Sequence, residues 1–192
     1  MRPGLGALIF KDNFSDASQW VLNSSPQGSA AFGQYELTIA ITSPKVYQFS
    51  LRKEPVVDNF YLEITASPNM CQGMDEYGVL LRVSAKMDYY RFALSCNGSV
   101  RLDRVVGGQA ASLHPWELSG AFAPGAPNTS HLAVWAFVSE MHFFINDYFQ
   151  FSVSDPLLSS GTLGVFARST GKTAVTVNFS DLQVKAVNQS KP

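Results

Sequence analysis

A chain of 192 residues with 46% hydrophobic residues, including 14 Phe, 7 Tyr and 3 Trp, has enough apolar mass for one sizeable core. Only 15% of its residues are charged and the formal net charge is −1, with Lys and Arg scattered, so the field that draws in a phosphate backbone is missing and nucleic acid is not expected as a partner. No apolar run approaches the roughly 20 residues of a spanning helix, which argues against membrane insertion by this chain.

The opening stretch from Met1 to Phe10 is too short and too interrupted by glycine for a signal peptide. An exported protein containing this chain would carry its signal or anchor in another segment. Further on, Tyr35, Leu37, Ile39 and Ile41 alternate with Glu36, Thr38 and Ala40, and Tyr47, Phe49 and Leu51 alternate with Gln48 and Ser50. Period-2 alternation predicts strands with one buried face. Leu62 and Ile64 alternate with Tyr61, Glu63 and Thr65, and Ser67-Pro68-Asn69 then starts a loop leading to Cys71.

Three consecutive strands are expected at Tyr77–Val83, Tyr89–Ser95 and Ser99–Val105. The last two are joined at Asn97-Gly98, a strong hairpin signal because both residues accept positive φ. Antiparallel pairing of the first two sets Cys96 beside Glu76, within reach of the loop that carries Cys71, and predicts a Cys71–Cys96 disulfide. Two buried free thiols are the alternative, since free cysteine packs as a small hydrophobe. With a disulfide, and a surface rich in Asn, Ser and Thr, the chain suits an oxidising compartment and is expected to be extracellular or at the cell surface.

From Gly107 to Asn128 the chain is rich in Gly, Ala and Pro and reads as its longest loop, with His114-Pro115-Trp116 in the middle. Strands resume at His131–Phe137, Met141–Ile145 and Tyr148–Val153, with a turn at Asn146-Asp147, and Gly161–Ala167 and Ala174–Val187 close the chain. About ten to twelve strands and no amphipathic helix predict an all-β fold of two packed antiparallel sheets. A single domain over 1–192 is expected, its core running from about Leu8 to Val187. That core should include Tyr35, Leu37, Ile39, Val79, Leu81, Phe92, Leu94, Val134, Phe143 and Phe166, and Trp20 and Trp135 are expected to serve packing.

Several stretches carry a family resemblance. Phe10-Lys11-Asp12-Asn13-Phe14 followed by Trp20, Gly33-Gln34-Tyr35, Tyr77-Gly78-Val79-Leu80-Leu81-Arg82, Tyr89-Tyr90-Arg91-Phe92, Gly161–Ala167 and Val177–Leu182 resemble concanavalin A-like jelly rolls. Within that superfamily the chain looks like laminin-G-like domains, the β-sandwich module of exo-inulinases and the 3-keto-disaccharide hydrolase domain. The resemblance implies a jelly-roll sandwich with a concave sheet that holds a sugar in many relatives. It also implies a role for Arg82, because an arginine ending this strand recurs in those families. Some related jelly rolls tie the first and last strands through Ca²⁺, and Asp12 and Asp181 hold the comparable positions; turn-capping by Asp12 is the competing reading.

Strand parity points to a candidate face. If Val79, Leu81 and Val83 face the core, Gly78, Leu80 and Arg82 face away; by the same rule Tyr89, Arg91, Arg101, Asp103, Tyr61 and Glu63 face away on their strands. Were these strands to share one sheet, Glu63, Arg82, Arg91, Arg101, Asp103 and Tyr89 would line one face. Guanidinium forks and carboxylates hydrogen-bond sugar hydroxyls and an aromatic ring stacks on a sugar's apolar side, so this face suits a glycan, with Trp116 as a lid from the long loop. Cross-strand ion pairs on a solvated face, with Trp116 plugging the sandwich edge, form the plainer alternative.

Support for catalysis is thin. The spacing of His114, His131 and His142 matches no zinc motif, and there is neither a nucleophile elbow nor a phosphate-cradling loop. Glu63 and Asp103 are the available acid and base pair, and the Glu-x-Asp-x-x-Glu strand of glucanase-like relatives is missing. The sequence therefore predicts a non-catalytic carbohydrate-binding-like module needing no cofactor beyond the calcium considered above. Two alternatives remain: a protein-interaction or sensor ectodomain with an apolar patch on the same face, and a hydrolase of the 3-keto-disaccharide type.

Overall fold

The computed structural model describes residues 4–171 and 173–187. Within them the chain forms strands β1 (Leu5–Asp12), β2 (Asn23–Ser25), β3 (Gly28–Phe32), β4 (Leu37–Ile41) and β5 (Tyr47–Leu51). Then come β6 (Phe60–Met70), β7 (Glu76–Val83), β8 (Tyr89–Ser95), β9 (Ser99–Val106) and β10 (Gln109–Leu118). The last are β11 (Ser130–Phe137), β12 (Glu140–Ile145), β13 (Tyr148–Ser154), β14 (Thr162–Arg168) and β15 (Val175–Val187). One 3-10 turn at Ala17–Gln19 is the only helical element among the described residues.

Two antiparallel sheets result. One has nine strands in the order β13-β12-β11-β6-β15-β4-β3-β2, with β1 also on β15; the other has six in the order β10-β9-β8-β7-β14-β5. Alternation explains the layering. Leu37, Ile39, Leu62, Ile64, Val134, Phe143, Val177 and Phe179 from the larger sheet meet Tyr77, Val79, Leu81, Phe92, Leu94 and Val165 from the smaller. Phe92 and Phe143 meet with ring centroids 4.8 Å apart, and Phe143 stacks on Phe151 at the same distance.

The expected hairpins are present, with Gly98 at φ 92° and Asn146 and Asp147 at φ 50° and 68°. Two core expectations are corrected. Tyr35 is 60% exposed, because it sits in the β3–β4 turn at φ 59° instead of on a strand. Phe166 is fully buried on the outer side of the six-stranded sheet, among Leu80, Tyr89 and Ala93, and not between the layers. The predicted long loop is also revised, since Gln109–Leu118 pairs with β9 as β10, through register shifts either side of His114. Pro115 is tolerated there because β10 is an edge strand.

Cys71 and Cys96 are bonded, with Cα atoms 5.9 Å apart across 25 residues of sequence. The bridge ties the end of β6 in one sheet to the end of β8 in the other. Closing a loop of this length constrains the unfolded chain by about 3 kcal/mol. The double variant Cys71→Ser with Cys96→Ser is expected to lower Tm by about 6 to 12 °C, and thiol titration of denatured, unreduced wild type should find no free thiol. An unchanged Tm in the double variant would contradict the assignment.

Candidate functional site

The outer face of the six-stranded sheet is ordered in rows set by strand register. In one row Arg101, Ala93, Gly78, Phe166 and Phe49 are successive partners from β9 to β5. In the next, Asp103, Arg91, Leu80, Gly164 and Leu51 are partners, and on the other side Glu76 pairs with Arg168 and Arg168 with Tyr47. The middle of the first row is therefore floored by Ala93 and Gly78, with bulk on both sides. Gly78 is required there because a Cβ would fall 2.0 Å from the carbonyl oxygen of Phe92.

Charged side chains bind one another across this floor. Arg91 donates to Asp103 at 2.7 Å, Arg101 lies 3.0 Å from Asp103 and 3.3 Å from Glu76, and Arg168 lies 3.5 Å from Glu76. The result is a ladder that runs Arg168, Glu76, Arg101, Asp103, Arg91. Aromatic rings flank it: the Arg101 guanidinium lies 4.5 Å from the Trp116 ring centroid, and that of Arg91 lies 5.7 Å and 5.9 Å from Tyr47 and Phe166. Burial opposes the Arg91 charge, and the hydrogen bond to Asp103 together with the electrostatic pull of Tyr47, Asp103 and Glu76 more than offsets it, so the guanidinium is held above its usual range. Burial, with Tyr89 beside it, pushes the Tyr47 phenol well above its usual range and keeps it a neutral hydroxyl. The Tyr47 hydroxyl and the Nε atoms of Arg91 and Arg101 have no hydrogen-bond partner among the described residues.

Of the seven residues that the sequence places at the site, Tyr89, Arg91, Arg101, Asp103 and Trp116 meet on this face. Trp116 arrives on the edge strand β10 and packs against the face, instead of hanging over it from a loop. Arg82 and Glu63 do not belong. Arg82 has φ 49°, a local irregularity that inverts the parity of β7, so Val83 joins the outer face and Arg82 turns inward at 0% exposure. Its guanidinium donates to the carbonyls of Asp58, Val138 and Leu158 at 2.8 to 3.0 Å. Glu63 lies on β6, in the other sheet, where it accepts from the Tyr61 hydroxyl and faces Lys185. Glu63 and Asp103 therefore stand on opposite outer faces and cannot work together as acid and base.

The sequence reading did not include Tyr47, Phe49, Glu76 or Arg168 in the site. Alternation had grouped Tyr47 with Phe49, but only the pairing of β5 with β14 sets them beside Phe166 and Arg168.

The calcium pair does not fit. The Asp12 carboxylate accepts from the Phe14 amide at 2.8 Å, the Trp20 indole at 2.9 Å and Arg52 at 3.1 Å. Those donors occupy the oxygens a hard cation needs and set a guanidinium where the ion would lie. Asp181 sits at φ 54° in a β15 irregularity, bonded to Ser180, and no cluster of three acidic, His or Cys side chains suited to a metal occurs among the described residues.

No protein-family model and no curated protein matches the chain. Solved structures do match in fold. A protein of unknown function with a galectin-like fold from Bacillus subtilis superposes with a TM-score of 0.76 at 12% identity, over 98% of this chain and 100% of the other. The β-glucanase of Bacillus licheniformis gives 0.72 at 8% identity, over 95% and 99%. The carbohydrate-binding module CBM66 of Bacillus subtilis gives 0.64 at 15% identity, over 88% and 96%. The chain therefore has the concanavalin A-like jelly-roll fold, as the sequence resemblance implied. No helix among the described residues is long and apolar enough to cross a membrane.

Proposed function

We propose that this chain is a non-catalytic glycan-binding module, secreted or displayed at a cell surface, whose site is the outer face of the six-stranded sheet. The observation that carries the reading is the five-membered arginine and carboxylate ladder laid across a floor of Ala93 and Gly78 between Trp116 and the Tyr47–Phe49 pair. Solvated ion pairs on an ordinary sheet surface are loose and exposed, whereas Arg91 and Asp103 are buried by their neighbours on the face itself. Pre-ordered donors cost less side-chain entropy on binding, and flanking rings give a sugar its stacking surface. The fold shared with a carbohydrate-binding module and the Cys71–Cys96 bridge support the assignment and an oxidising location.

The non-catalytic part rests on the same ladder. A general acid must present a proton on a carboxyl oxygen. Glu76 is engaged by Arg101 and Arg168, and Asp103 by Arg91 and Arg101, so each carboxylate receives guanidinium groups instead.

A few hydrogen bonds and one stacked ring leave about 4 to 8 kcal/mol, so micromolar to millimolar affinity is expected. The test is an array of fructans, β-glucans and neutral and acidic cell-wall polymers, probed with wild type, Trp116→Ala and Arg101→Ala. Both variants should lose binding about tenfold or more while keeping the wild-type fold by circular dichroism. Silence of the wild type across the panel would favour the interaction-module alternative. The surface for that role is on the opposite sheet, where Phe149 and Tyr148 are more than half exposed beside Phe144, His142 and Trp135.

A further inference from the structure

The two kinds of charge in the ladder are not equally available to a ligand. The carboxylate side chains of Glu76 and Asp103 are 5% and 4% exposed, whereas Arg101 is 18% and Arg168 is 43% exposed. The ladder also begins and ends on arginine, which leaves three guanidinium groups for two carboxylates. The acids lie beneath and orient the arginines; the exposed part of the ladder consists of donors. Glu117, the exposed carboxylate next to Trp116 along β10, is 3.2 Å from His114 Nε2.

A neutral sugar hydroxyl both donates and accepts, so it matches best a surface that offers both. A carboxylate only accepts, with a planar pair of oxygens that fits a guanidinium fork. We infer that the glycan taken by this face is acidic, a uronate-containing polymer whose carboxylate is received by Arg168 and Arg101 while the sugar ring lies against Trp116. The inference rests on the glycan-binding reading above and narrows it to a ligand class. Each carboxylate–guanidinium contact is charge-assisted and screened by salt only in its exposed part.

Affinity electrophoresis in gels containing polygalacturonate, the same polymer fully methyl-esterified, or a neutral β-glucan separates the cases. Polygalacturonate is expected to retard the wild type, and esterification, which removes the charge and keeps the sugar, should weaken retardation about tenfold or more. Arg168→Gln should weaken it similarly, Arg168→Lys should restore part, and Lys11→Gln, a cation on the other sheet, should leave it unchanged. Equal retardation by the acid and ester forms, or by the β-glucan alone, would overturn the acidic ligand and keep the glycan site. An equal loss from Lys11→Gln would mark diffuse charge attraction and overturn the inference as well. No retardation in any gel, together with a silent array, would remove the glycan reading itself.

Discussion

Replacing Arg82 with alanine is expected to lower the unfolding free energy by about 4 kcal/mol and Tm by about 8 to 16 °C. Three backbone carbonyls, those of Asp58, Val138 and Leu158, depend on its guanidinium at 2.8 to 3.0 Å. They belong to three separate segments: the entry to β6, the β11–β12 turn and the loop before β14. Removal of the donor leaves those acceptors unpaired in a site where the arginine itself is wholly buried, and adds a cavity of side-chain size. Arg82→Lys should recover only part of the loss, because one ammonium on a flexible stem cannot reproduce a planar fork aimed at three oxygens. Urea unfolding followed by tryptophan fluorescence measures the effect. A variant with wild-type stability and lost glycan binding would show that the arginine is a ligand residue after all, and would reverse its assignment as a tie between segments.

The variant Gly78→Ala is expected to cost about 3 to 5 kcal/mol, a large effect for one methyl group. Its Cβ would lie 2.0 Å from the Phe92 carbonyl oxygen and 3.1 Å from the carbonyl carbon, both backbone atoms in the neighbouring strand. A flexible side chain can step aside from such a contact; a strand fixed on both edges cannot. Relief requires β7 and β8 to separate where Gly78 faces Ala93 and Val79 faces Phe92, in the middle of the sheet. The same methyl group would also press on the Phe166 ring, 3.3 Å away, at the base of the proposed site. Reduced Tm accompanied by weakened polysaccharide retardation is therefore the expected result. Ala93→Gly on the neighbouring strand supplies the comparison: it leaves the floor low, and should weaken stability through backbone freedom without weakening retention. Wild-type stability for Gly78→Ala would mean that the strands adjust freely there.

The amino-acid sequence alone determined the elements and their local relations. Alternation marked most of the strands, Asn97-Gly98 and Asn146-Asp147 marked two turns, and the spacing of the middle hairpin was enough to bring Cys71 to Cys96. It likewise grouped Tyr89 with Arg91 and Arg101 with Asp103, because side chains two apart on a strand share a face whatever the strand pairs with. What lies beyond a single strand was decided by the tertiary structure. Sheet membership depends on pairing between distant segments, so Glu63 went with β11 and β15 to the opposite face, while Tyr47 and Phe49 came to the site beside β14. Parity holds only along a regular strand: the positive φ at Arg82 inverted it and sent that side chain into the interior, and pairing with β9, through register shifts, made an expected loop the strand that delivers Trp116. The imbalance between covered carboxylates and exposed guanidinium groups was out of reach for the same reason, since relative burial within a charge ladder is fixed only when five side chains from four strands are packed together.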